Sequence, residues 1–144
     1  MRNAILGVLF FVSVGLAAVK EKQPPAPPPC QDEEAMVADY TKDLTALVTA
    51  VKGEDLQTFQ SGYHRKTCLT KLTLFVTVLD GAAACFDKAS QNPATPKDQI
   101  EACKAKQDRY AKLKDKVSQY RDKLKATENF KESKAQIEQY DFTN

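Results

Sequence analysis

The chain has 144 residues, a formal net charge of +2, four cysteines and a single histidine. That size supports one modest core. The near-zero charge, with no zinc-finger or basic-zipper pattern, excludes nucleic acid as the natural partner.

The first nineteen residues, MRNAILGVLFFVSVGLAAV, place Arg2 before an apolar run from Ala4 to Leu16, followed by Gly15, Ala17 and Ala18. This is the order of a secretory signal, and the run is shorter than the ~20 residues of a membrane span. The reading is a signal peptide over 1–17, a secreted product and no membrane span. Residues 18–29 include five prolines within Pro24–Pro29 and read as an extended spacer. A single domain occupies 30–144.

A first long helix starts near Gln31, where Asp32, Glu33 and Glu34 suit the positive end of a helix dipole. Met36, Val37, Tyr40, Leu44, Leu47, Val48 and Val51 recur on one face of it. Gly53 stops it, and 54–60 forms a short helix bearing Leu56 and Phe59. A second long helix runs from about Thr67 to Ala89, with Cys68, Leu72, Phe75 and Leu79 on one face. Its TLFVTV stretch is rich in β-branched residues, but no second strand exists to pair with it, so helix is the reading. The turn at Asn92–Pro96 leads through Thr95, a good N-cap, into a third long helix of about thirty residues. Phe130, Ile137 and Tyr140 extend helix towards a frayed end.

Even cysteine counts in secreted chains read as bridges, here two of three possible pairings. Cys68 and Cys85 lie seventeen residues apart, about 25 Å along one helix, too far to join. Cys85 and Cys103 flank the turn at Ala94 symmetrically, so Cys85–Cys103 and Cys30–Cys68 are the favoured bridges. The second requires the 52–66 link to run back along the first helix. The fold class is therefore all-α, a compact irregular bundle of about four helices stapled by two disulfides.

The third helix carries a seven-residue repeat, QDRYAKL, KDKVSQY, RDKLKAT. Tyr110, Leu113, Val117, Tyr120 and Leu124 take the a and d positions of a heptad, and Asp108, Asp115 and Asp122 lie opposite. Between Lys104 and Lys125 there are 9 basic and 3 acidic residues. Arg109, Lys114, Lys116, Arg121 and Lys123 flank the seam. They either solvate the edges of a bundle or present a basic strip to an anionic partner, such as a glycosaminoglycan or an acidic protein surface.

Catalytic groups are sparse. His64, in GYHRKT, reads as an exposed linker residue, and oxidised cysteines leave no nucleophile. The widely spaced cysteines offer no zinc-ligand pattern, so no metal or cofactor is expected. The expectation is a non-enzyme that acts by binding.

The signal ending near GLAAV, the four cysteines in a helical pattern and the lysine-rich KDKVSQYRDKLK segment together resemble the small helical salivary proteins of anopheline mosquitoes, of the anophensin, hamadarin and albicin type. The resemblance implies a blood-feeding role. It points to inhibition of plasma contact activation (factor XII, kininogen and kallikrein) or of the alternative complement pathway, by occupying a protein surface. The alternative from the residues alone is a secreted carrier of a small apolar ligand, with Met36, Phe75 and Leu79 as cavity walls.

Overall fold

The structure, a computed structural model, describes residues 29–60 and 62–143. The signal-peptide reading and all of the spacer except Pro29 fall outside the described residues. Five helices follow in order: α1 (Gln31–Lys52), α2 (Leu56–Phe59), α3 (Tyr63–Gln91), α4 (Lys97–Ala126) and α5 (Phe130–Glu138). No strand occurs among the described residues. The fold is all-α.

Local chemistry sets the boundaries. Asp32, Glu33 and Glu34 occupy the first turn of α1. Asp55 caps α2, its Oδ1 accepting from the Thr58 N–H at 2.7 Å. Gly62 stands at φ 79°, a left-handed turn that glycine adopts without a Cβ penalty, and α3 begins at the next residue. The helix thus starts four residues ahead of the expected Thr67. Its threonines are accommodated by back-bonding. The hydroxyls of Thr70 and Thr73 donate to the carbonyls four residues earlier, at 3.1 and 2.8 Å. Thr95 does not cap α4. Its hydroxyl instead donates to the Ala89 carbonyl at 2.7 Å and closes the end of α3. Asn129 caps α5 through the N–H groups of Lys131 and Glu132.

α3 is the central element. It packs antiparallel to both α1 and α4, and α5 touches all four other helices at one end of the bundle. The core runs along it. Leu72, Phe75 and Leu79 are fully buried against Leu44, Val51, Val117, Leu124 and Ile137. The Phe75 ring stacks on Tyr40 at 5.8 Å and meets Phe142 edge-on at 6.3 Å. The chain end is not frayed up to Thr143, since Tyr140 and Phe142 are buried and Tyr140 stacks on Tyr120 at 4.2 Å.

The bridge pattern differs from the expected one. Cys30 is joined to Cys85, with Cα atoms 5.9 Å apart, while Cys68 and Cys103 are buried thiols. The cause is the path of the link. Residues 53–60, which include α2, do not run back along α1, and α3 begins just after Gly62. The start of α1 therefore lies level with Cys85 near the end of α3, and Cys68 sits at the opposite end. Cys103 is level with Cys85, but Phe86, one residue and about 100° further round the helix, takes the place facing α4. Phe86 stacks on Tyr110 and lines a small notch with Cys103. Cys68 and Cys103 are separated by most of the bundle, about 25 Å by helical rise, so this fold admits one bridge among the four cysteines. Closing 55 residues of sequence, that bridge contributes about 4 kcal/mol on the loop-entropy account.

Arg65 fastens the other end. Its Nη2 donates to the carbonyls of Leu124 and Thr127 at 3.1 and 2.6 Å, and its Nε donates to Ser133 Oγ at 3.2 Å. One guanidinium thus satisfies terminal carbonyls of α4 and a fully buried hydroxyl of α5. Nearby, His64 is no free linker residue. Its Nδ1 lies 2.6 Å from Glu54 Oε2, and both side chains are largely covered.

Two measurements follow. Thiol titration of the denatured, unreduced protein should give two thiols per chain, and peptide mapping should recover Cys30 linked to Cys85. Four protected cysteines would contradict this fold. Arg65→Ala should cost about 3 kcal/mol in chemical denaturation, and Arg65→Lys should recover little of it, because lysine lacks the planar fork.

Candidate functional site

The repeat in α4 places its apolar seam inside. Tyr110, Leu113, Val117 and Leu124 are buried, Tyr120 is partly buried, and Asp108, Asp115 and Asp122 are exposed on the far side. The basic residues flanking the seam separate into two groups.

The first group is held by the protein's own carboxylates. Lys114 Nζ is 2.8 Å from Asp80 of α3, and this hydrogen bond raises the lysine's pKa. Lys116 Nζ lies 3.4 Å from both Asp141 Oδ2 and the Thr143 carbonyl. Hydrogen bonds from Thr143, and then Lys116, hold the Asp141 carboxyl below its ordinary value. Arg121 Nε is 2.8 Å from Asp122, which lowers the acid and raises the base. Lys106, outside the expected set, bonds Glu34 of α1 at 2.9 Å.

The second group has no such partner. Among the described residues, Arg109 and Lys123 have no carboxylate within 4.0 Å, and neither have Lys104, Lys112 and Lys42. Lys123 projects from the exposed surface near the end of α4. Arg109 lies over the Tyr110 ring, 6.0 Å from its centroid. It edges a groove of about 520 Å³ between α1 and α4, opposite Lys42, with Val37, Leu113 and Phe142 along the bottom. Lys112 and Asp108 share the adjoining surface with Arg109. The five predicted cations therefore do not form one strip. Three are paired within the protein, Lys123 stands apart near the end of α4, and Arg109 shares the groove region with Lys42 and Lys112.

Sequence reasoning missed two contributors. Glu34 reads as a first-turn dipole partner, yet it also accepts from Tyr110 Oη at 3.2 Å and bridges α1 to α4. Burial and that carboxylate together raise the Tyr110 pKa. The groove's end is made by Phe142 and Thr143, whose alternation with polar neighbours carries no helical signal.

The proposed carrier walls do not enclose a space. Phe75 and Leu79 are fully buried in the core, and Met36 is half-exposed on the outside of α1. One cluster has metal-like spacing, with ligand atoms of Cys30, Glu33 and Cys85 within 4.8 Å of one another. Its two sulfurs are joined as the disulfide, which leaves no thiolate to coordinate an ion. Comparisons with protein families, curated proteins and solved structures find no match to this chain.

Proposed function

We propose that this chain is a secreted, non-enzymatic protein that works by covering an acidic surface on an extracellular protein partner. The observation that carries the reading is the uneven use of its cations. Lys106, Lys114, Lys116 and Arg121 are spent inside the molecule, while Arg109, Lys104 and Lys112 stay unpaired on one end of α4, with Lys42 across the groove. Unpaired cations beside a groove with an apolar floor, bordered also by Glu34, attract an anionic partner and then bury surface against it. The Cys30–Cys85 bridge supports an oxidising compartment. The resemblance to anopheline salivary inhibitors directs the choice of partner to the plasma contact system or the alternative complement convertase. A glycosaminoglycan offers the same anionic chemistry without the apolar contact that the groove provides.

The purified mature protein should slow contact activation or alternative-pathway complement in plasma at submicromolar concentration; inactivity in both assays overturns the choice of partner. Neutralising Lys104, Arg109 and Lys112 together should weaken binding at least about tenfold and flatten its salt dependence. The pair Lys114→Ala and Lys116→Ala should leave affinity nearly unchanged. The reverse pattern would return the site to the middle of α4.

A further inference from the structure

α5 and the residues after it run along the trough between α1 and α4, antiparallel to both walls. Gln136 Nε2 donates to Thr127 Oγ1 at 2.8 Å, Tyr140 Oη to the Tyr120 carbonyl at 3.0 Å, and Lys116 Nζ to the Thr143 carbonyl at 3.4 Å. Each step forward in this segment is thus a step back along α4. The trough does not end at Thr143. It continues as the groove of about 520 Å³, walled by Val37, Ala38, Thr41 and Lys42 of α1 and by Arg109 and Leu113 of α4.

The walls have the form of a helix seat. Glu34, Val37, Ala38, Thr41 and Lys42 recur three and four residues apart, so they belong to one face of α1. Ala38 is exposed and Thr41 is partly buried, and both are small enough to admit a helix at close range. An extended peptide fits less well. Val37, Leu113 and Phe142 are buried beneath the opening, and no strand among the described residues offers an edge to pair its backbone. A helix satisfies its own backbone and has only side chains to match. The charges ask for acid on both flanks of that helix. Lys42 on α1 and Arg109 on α4 lie on opposite walls, and among the described residues neither has a carboxylate within 4.0 Å. Glu34 is already engaged by Lys106 and Tyr110. Asp108 lies on the adjoining surface that Arg109 shares with Lys112.

We propose, on the footing of the acidic-partner reading above, that the partner enters this groove as an amphipathic α-helix, seated where further turns of α5 would lie. Glu34 and Lys42 are about 12 Å apart along α1, so about two turns of the incoming helix lie in the groove. Its inner face rests small apolar side chains on Ala38 and on the Thr41 methyl. Carboxylates on its two flanks reach Lys42 and Arg109, whose aliphatic stems add apolar contact. The floor is packed before the helix arrives, so this seat supplies modest affinity and sets the orientation of the partner. Lys112, on the surface next to Arg109, extends the contact to acids beyond the helix.

The probe is a capped peptide of about eighteen residues, with leucine repeating three and four apart and glutamate on both flanks. It should bind the mature protein with a dissociation constant on the order of 100 µM and shift the NMR methyl signals of Val37 and Leu113. A proline at its centre should weaken binding at least about tenfold. Ala38→Trp, and separately Thr41→Trp, should do the same, because each fills the groove while every cation stays in place. Both variants should keep the circular dichroism and melting temperature of the parent, and both should lose plasma inhibition. No binding at about 1 mM peptide, or binding that survives the proline and both tryptophans, overturns the helix seat. Inhibition kept by both tryptophan variants but lost on neutralising Lys104, Arg109 and Lys112 also overturns it, and leaves the acidic-partner reading standing. A protein inert in plasma that binds the peptide with the expected pattern supports the seat and overturns only the plasma partner. A dimer of the mature protein that Ala38→Trp abolishes gives the groove to a second copy and overturns the proposal.

Discussion

The rest of this structure depends on one helix, α3, that is packed by other elements on three sides. A surface helix of a small domain ordinarily buries one stripe and solvates the remainder. α3 buries a stripe against α4, another against α1 and a third against α5, and still shows Leu74 and its threonine neighbours to water. Every other element is placed by the need to cover it. α1 and α4 lie along its flanks, parallel to each other and barely touching, so they meet through long polar side chains such as Glu34, Lys106 and Tyr110. The disulfide and Arg65 act at opposite ends of the same helix. Cys85 ties its C-terminal half to the start of α1, and Arg65 ties its first turn to the end of α4 and to α5.

Much of this was legible in the chain. The heptad in α4 named its buried side chains by spacing alone, and Tyr110, Leu113, Val117 and Leu124 are the residues that pack inward. The helical reading of TLFVTV rested on the lack of a strand to pair with it, and burial of Leu72, Phe75 and Leu79 at helical spacing supplies the packing that holds it. The bridges failed for a different reason. Level along a bundle can be counted from the turns, but rotation about each helix axis decides which cysteine faces which helix. Cys85 and Phe86 differ by one residue and face different neighbours. The assumed Cys30–Cys68 bridge also demanded a returning link. A plain antiparallel hairpin, which sets Cys30 level with Cys85, needed no such detour.

The candidate site was half legible for a related reason. Periodicity within α4 identifies the cations that flank its seam, because both belong to one helix. It says nothing about carboxylates arriving from elsewhere. Asp80 reaches Lys114 from α3 and Asp141 reaches Lys116 from beyond α5. A basic run in sequence is therefore an upper bound on available charge. What remains, Arg109 among it, emerges only after the ion pairs are subtracted.

Why the groove beside Arg109 stays open follows from helix lengths. α1 has 22 residues and α4 has 30, while α5, which fills the space between them at one end, has 9. At about 1.5 Å per residue, α5 covers roughly 13 Å of a gap more than twice that long. Tyr140 and Phe142 extend the cover a little further, and Thr143 marks its edge. Beyond that edge the floor is already closed by Val37 and Leu113, so the groove is wet above and well packed below. A longer α5 would fill the gap and cover Arg109. The short α5 leaves the groove between α1 and α4 open beside Arg109 and Lys42.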